Sequence, residues 1–319
     1  MIAAVLRRWV PTCAVLLLLN GAQAEGQDVQ IADVSRPGEQ EPITPVPPVP
    51  AEDPRKVSLG ERLFKDPRLS HDGTRACMSC HDVSSNGADA ADRDRGVDGS
   101  LYQFNTSTVF NAALSFRIGW EGRLRSLEEH IETSLNNPIL MGTSVDEVLV
   151  KLKTDEEYDG LFRKAYGHAP DRDSLFNAIA TYERTLLTPG SRFDRWLQGD
   201  AKALSPDELD GYRLFKSLGC VSCHQGVNVG GNLFERHGIF RPLASPKPEI
   251  VRVPSLRNVA TTPPYFHDGS APTLGDAVRQ MGAAQLDRKL SDQQVDTIIA
   301  FLETLTGTYR GTPVVAARP

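Results

Sequence analysis

Two short stretches of this sequence carry its chemistry. Cys77, Cys80 and His81 stand as Cys-x-x-Cys-His, and Cys220, Cys223 and His224 repeat the pattern. Two thiols three positions apart, followed at once by an imidazole, form the attachment pattern of a c-type haem. Each thiol forms a thioether with a vinyl group, and the adjacent histidine reaches the iron. A zinc site made of the four thiols would leave both histidines without a role. A thioredoxin-like redox pair needs no histidine behind it and expects a βαβ pattern, which the chain lacks. Two haem c groups are therefore expected, one per motif.

The elements that position these motifs are helical, and they come twice. Ser58-Leu59-Gly60-Glu61 reads as a capping box opening a helix that carries Leu59, Leu63 and Phe64. Ser205-Pro206-Asp207-Glu208 repeats the device, with proline at the first helical position. Gly60-Glu-Arg-Leu-Phe-Lys and Gly211-Tyr-Arg-Leu-Phe-Lys then lead into the two motifs. Each half closes alike, with Ile179-Ala-Thr-Tyr-Glu-Arg-Thr-Leu186 mirrored by Ile299-Ala-Phe-Leu-Glu-Thr-Leu305. In the second, Val295, Ile298, Ile299, Leu302 and Leu305 share a helical face, Ser291 with Gln294 caps its start and Gly307 stops it. Helical stretches around Leu124 to Leu135 and Val145 to Leu152 occupy an insertion between Thr108 and Tyr166. A Gly- and Pro-rich loop runs from Gln225 to Tyr265. No run alternates long enough to demand a substantial sheet. The expected fold is mainly α, with two cytochrome c-like domains over 55–203 and 204–319.

The 319 residues leave room for two modest domains; 40% apolar content supports their cores, and 24% charged residues argues against wholesale disorder. Met1 to Ala24 reads as a secretory signal peptide. It has Arg7 and Arg8 at its start, an apolar run from Ala14 to Leu19 and a small-residue cleavage site at Ala22-Gln23-Ala24. It is too short to span a membrane, and a periplasmic destination follows. Cys13 leaves with it, and haem attachment uses the other four cysteines, so no disulfide is expected. Loss of the two arginines takes the formal charge from −6 to −8. An acidic surface suits a small basic electron donor and is a poor match for nucleic acid, although simple solubility explains it equally well. Residues 25–54 are polar and proline-rich, an extended tether.

Several further landmarks lie outside the motifs. They are Leu63-Phe64-Lys65-Asp66-Pro67-Arg68-Leu69-Ser70, Trp120-Glu121-Gly122-Arg123, Asn137-Pro138, Glu183-Arg184-Thr185-Leu186, Ser191-Arg192-Phe193-Asp194, Val253-Pro254-Ser255-Leu256-Arg257-Asn258-Val259 and Pro264-Tyr265-Phe266-His267-Asp268-Gly269. In these the sequence resembles the bacterial dihaem cytochrome c peroxidase family, whose superfamily includes the MauG-type protein-modifying enzymes. The resemblance implies that the first haem reacts with hydrogen peroxide and the second stores an electron supplied by a small cytochrome c or cupredoxin. It places Met281 opposite His224, where a thioether raises the reduction potential; a core methionine sharing a helix face with Ala277 and Val278 is the alternative. It makes Trp120 a relay between the haems, or else an ordinary buried tryptophan. It also implies one Ca²⁺ held by the side-chain oxygen of Asn105 and the carbonyls of Thr262 and Pro264. Family members are often dimers, so a homodimer joins the expectations.

The sequence departs from the family pattern in two places. A loop histidine that caps the first iron in many members is replaced by Val97, which implies an open first haem; His71 stands at a variable loop site. The distal glutamine and glutamate positions read His130 and Leu140. Leu140 cannot move a proton, whereas a histidine with a reference pKa near 6.5 can both take one and return it. His130 is thus a proton shuttle, a packed helix residue or an iron ligand; Glu128, Glu129 and Glu132 form a solvated face, with one available to orient it. Three functions follow: a peroxidase, a MauG-like enzyme that oxidises a partner protein, or a plain dihaem electron carrier.

Overall fold

The computed structural model describes residues 41–96, 98–245 and 247–317. The signal-peptide expectation, residues 25–40 of the tether and the Val97 position lie outside the described residues. The halves belong to one compact unit, Arg36–Pro319.

Each half is built on a close helix crossing. In the first, α1 (Pro54–Phe64) crosses α5 (Arg172–Arg184) at Gly60, where a Cβ would collide with the carbonyl oxygen of Ala178. In the second, α7 (Pro206–Ser217) crosses α9 (Asp292–Glu303) at Gly211, where a Cβ would collide with Thr297 O. The repeated glycine therefore lets two backbones touch, as only a residue without a side chain allows. Around the first crossing pack Leu59, Leu63, Phe64, Leu175, Ile179 and Tyr182, all buried. Around the second lies an aromatic cluster: Phe193 sits 4.8 Å from Tyr212 and 5.1 Å from Phe301 between ring centroids, in the edge-on geometry favoured by ring quadrupoles.

The first half inserts α2 (Leu127–Asn136), α3 (Val145–Thr154) and α4 (Glu156–Tyr166), capped by Ser126, Ser144 and Asp155 respectively. The short α6 (Arg192–Leu197) joins the halves, and α8 (Leu274–Leu286) follows the Gly/Pro-rich loop. Strands are minor: β1 (Phe234–Arg236) pairs antiparallel with β2 (Ile250–Arg252), and β3 (Thr308–Tyr309) with β4 (Thr312–Pro313). Among the described residues no helix is long and apolar enough to cross a membrane.

Two local expectations need correction. The first helix does not open at Ser58: it starts at Pro54, where the Asp53 carboxylate accepts the Arg55 N–H at 2.9 Å. Proline at the first helical position costs nothing there, because its missing N–H would have been unpaired anyway. Nor does Gly307 end the last helix, which finishes at Glu303 with Thr304 as its cap. Gly307 instead lets the chain pass against Thr188 O.

The described part of the proline-rich run, residues 41–53, is extended but anchored. Pro42 O accepts the Gly226 N–H at 2.8 Å, Ile43 and Val46 are buried, and Glu41 accepts from Tyr212 and Lys216 of α7. A buried ion pair, Arg257–Asp194 at 2.8 Å with both side chains 1% exposed, holds this strap: Arg257 Nη2 donates to Thr44 O, and Asp194 Oδ1 accepts from Val46 N–H.

Candidate haem sites and their junction

The two Cys-x-x-Cys-His motifs form matching turns. In each, a 3-10 turn starts at the first cysteine and the histidine N–H returns to that cysteine's carbonyl at 3.0 Å. Both imidazoles direct Nδ1 at a backbone carbonyl, His81 to Gly87 O at 3.3 Å and His224 to Val229 O at 3.1 Å. This fixes the tautomer and leaves Nε2 as a free donor atom for a metal. Val229 holds its carbonyl in place from a left-handed backbone conformation (φ 49°), which costs a β-branched residue about 1–3 kcal/mol. Burial pushes His224 down to about 4 and lowers His81, keeping both neutral as ligation requires.

These residues fit a covalently held haem. All four cysteines are free thiols. Burial pushes Cys77 and Cys80 up to about 12 and Cys220 to about 11, so none is a ready thiolate nucleophile. Among the described residues no three His, Cys, Asp or Glu side chains converge to hold a metal, which removes the shared zinc reading. Beside the second motif lies a cavity of about 520 Å³ lined by Cys220, Cys223, His224 and Met281. Its volume is that of a ligand pocket. Its walls are largely apolar, and Met281 borders the same space as His224, so both could serve as ligands to an iron held there.

The rest of the site is a repeat that the sequence reading missed. Asn111 and Asn258 both adopt φ 60° ahead of a 3-10 turn. The bridges Ile118–Leu124 and Tyr265–Ala271 follow at the same interval, and then the caps Ser126 and Thr273 open α2 and α8. The two asparagines meet at the junction, where each hydrogen-bonds the buried hydroxyl of Thr188 through its amide nitrogen, at 2.8 and 3.0 Å. The same spacing matches Trp120 to His267, and these rings also meet, 6.2 Å apart at 66°. On α8, Leu274, Ala277, Val278 and Met281 line the cavity; their counterparts on α2 are Leu127, His130, Ile131 and Ser134. The stripe of α2 equivalent to the cavity-lining stripe of α8 therefore presents His130 and Ser134 where α8 presents alanine and methionine.

His130 responds to its surroundings accordingly. Burial, and secondarily the like charge of His81, push it down to about 4, so the ring is neutral at ordinary pH. Leu140 is half-buried against the first core and offers no proton. His71 lies outside the site, exposed and 3.1 Å from Glu147 Oε2. A carboxyl that sequence reasoning overlooked, Glu183 of α5, is 8% exposed. Burial and then Glu128 push it up to about 8, and its charge reaches the Cys77 thiol.

Trp120 borders the cavity and donates Nε1–H to Asn105 O at 2.8 Å. Asn105 shares that cavity wall with Thr262 and Pro264. Its amide nitrogen donates to Ala91 O and Asp92 O, and among the described residues no hydrogen bond engages its Oδ1.

Comparison with known proteins agrees with this geometry. Residues 54–202 match the family described as di-haem cytochrome c peroxidase, and 209–306 match cytochrome c. A cytochrome c551 peroxidase of Nitrosomonas europaea is 38% identical, covering 93% of this chain and 91% of its own. That of Pseudomonas aeruginosa is also 38% identical over 78% of each chain. The solved structure of a MauG-like protein associated with microbial copper homeostasis superposes with a TM-score of 0.70 at 26% identity, covering 84% of this chain and 95% of that one. With two motifs on matching turns, one tryptophan at their junction and relatives that span nearly its whole length, this chain belongs to the di-haem cytochrome c peroxidase family.

Proposed function

We propose that the protein reduces hydrogen peroxide to water in the periplasm, at the half that carries His81, using an electron stored in the half that carries His224 and Met281. The bound haems supply the iron that takes up peroxide and the redox equivalents that pass between the halves. One observation carries the assignment of roles. The repeat that supplies a thioether from α8 puts Ser134 at the matching place on α2, and a serine hydroxyl is a poor iron ligand. The first haem would thus be left open to a small molecule, and Met281 would close the second.

The protein's own groups then divide the work. His81, oriented through Gly87 O, would hold the iron of the first haem. Neutral His130 would be the group that holds and returns the proton when peroxide is reduced at that site, the task left vacant by Leu140. Trp120, pinned to Asn105 O, bridges the two sites. A calcium ion held by Asn105 Oδ1 with the carbonyls of Thr262 and Pro264, waters completing its shell, would brace that bridge with neutral oxygen ligands. The electron donor fitted to a chain of formal charge −6 is a small basic cytochrome c or cupredoxin.

The deciding experiment is an electron paramagnetic resonance spectrum of the oxidised protein, followed by turnover with reduced cytochrome c and peroxide. A high-spin ferric signal from one haem supports the assignment. Two low-spin centres, with turnover no faster than free haem, would reduce the protein to an electron carrier. A second reading, oxidation of a partner protein as in MauG-like enzymes, is favoured by Leu140 and opposed by Met281. It requires a long-lived oxidised state after peroxide that only the partner discharges.

A further inference from the structure

Two arginines lie buried near the second motif, Arg252 at the end of β2 and Arg257 in the turn that follows, and their surroundings differ. Arg257 is neutralised by Asp194 at 2.8 Å. Arg252 is only 9% exposed, yet among the described residues it forms no ion pair. Its Nε donates to Gly119 O at 3.1 Å, its backbone N–H donates to Trp120 O at 2.7 Å, and the residue lines the cavity. Burial without a counter-charge lowers its affinity for its proton, whereas Arg257 has Asp194 acting in the other direction. An uncompensated buried cation costs several kcal/mol, so the fold retains Arg252 at a loss unless an anion enters the cavity. Arg117 also borders that space but is only half-buried, so water screens its charge.

We propose that Arg252 holds an ionised propionate of the second haem, and through Gly119 and Trp120 ties that haem's acid edge to the tryptophan between the sites. This rests on the reading that His224 and Met281 hold a haem in the cavity. Planar guanidinium suits the task, since it offers a fork of donors to a carboxylate while Nε keeps its backbone partner. Arg252 is a positioning residue: it touches no reacting atom. Its charge favours the reduced, less positive iron, so it raises the potential of the haem that stores the electron.

The test is the midpoint potential of the high-potential haem in the holoprotein, measured for wild type, Arg252→Gln and Arg252→Lys. We expect Arg252→Gln to weaken reduction at least about tenfold, a fall of about 59 mV for one electron, and Arg252→Lys to stay within about threefold of wild type. An unmoved potential in Arg252→Gln overturns the proposal, as does a lysine variant that falls equally far. Should Arg252→Gln fail to take up haem, the wild-type pH profile decides. A propionate paired to guanidinium stays ionised, so the midpoint should be flat between about pH 5 and 8; a proton-coupled slope there overturns the pairing. The ferric thioether–iron absorption band, recorded on the same wild-type sample, separates the two levels. Its absence sinks the His224/Met281 reading together with this one, and its presence with an unmoved potential sinks this one alone.

Discussion

The two halves use one plan for opposite ends. Both have a glycine crossing, a left-handed asparagine, a bridged turn and a capped helix laid along the site. They diverge on one helix face in particular, where α2 offers His130 and Ser134 and α8 offers Ala277 and Met281. On the proposed assignment, the Met281 thioether would serve as an iron ligand and its small neighbour would leave it undisturbed, which suits storage. On the same assignment, the Ser134 hydroxyl would leave that place open and the neutral His130 imidazole one turn away could handle protons, which suits peroxide. The closing helices diverge similarly: Glu183 on α5 is buried, whereas its counterpart Glu303 on α9 is exposed. The lesson is that reactivity here comes from what a conserved geometry omits as much as from what it adds.

Substitutions can erase these differences one at a time. His130→Ala makes α2 resemble α8 at that place and should lower kcat by about 10²–10⁴, the usual worth of a positioned proton carrier. Its pH behaviour gives a second check. Because the folded-state value is depressed to about 4, the ring stays neutral and the acid limb of kcat should lie near that value. The same group makes folding stability fall as pH drops from about 6.5 towards 4, where the unfolded chain binds the extra proton. Both features should vanish in His130→Ala, and an unchanged profile would return His130 to simple packing.

Ser134→Met copies the second site into the first. The expected result is loss of the high-spin signal with at least about 100-fold slower turnover, some 2.7 kcal/mol. Full activity would show that α2 and α8 do not present equivalent faces. The smallest effect concerns the two glutamates. With its folded value raised to about 8, Glu183 favours the folded state fully below about pH 4.5, and that contribution is lost as pH rises through 8. Glu183→Gln should therefore protect the protein at pH 9 by on the order of 1–3 kcal/mol, several degrees in Tm, while Glu303→Gln should change little. Equal responses would remove this asymmetry.

Much of this was legible in the chain. The haem motifs announce themselves because attachment chemistry demands a fixed spacing, and the caps at Ser205 and Ser291 stand where their boxes put them. The start of α1 was misplaced because Asp53-Pro54 sits in a proline-rich stretch whose composition reads as loose chain, although that very pair is a helix opening. The orientation of His130 was hidden in a repeat too diverged for its apolar pattern to stand out; the paired asparagines at 111 and 258 were the available signal. Arg252, Glu183 and the Arg257–Asp194 pair were not legible, since their character comes from burial and from partners far away in sequence. No local pattern distinguishes an arginine that has a carboxylate from one that lacks it.

The Arg257–Asp194 clamp has a practical corollary for anyone dissecting the protein. Although the motif-bearing units look modular, a gene fragment beginning after α6 would contain Arg257 without Asp194 and without the strap at Thr44 and Val46. It would also lack Phe193 from the aromatic cluster on Tyr212 and Phe301. Such a fragment would bare a lone cation and an open hydrophobic face, so the electron-storing half should be obtainable only as part of the whole polypeptide. The two units share one pattern, but the contacts that stitch them together make the pair inseparable.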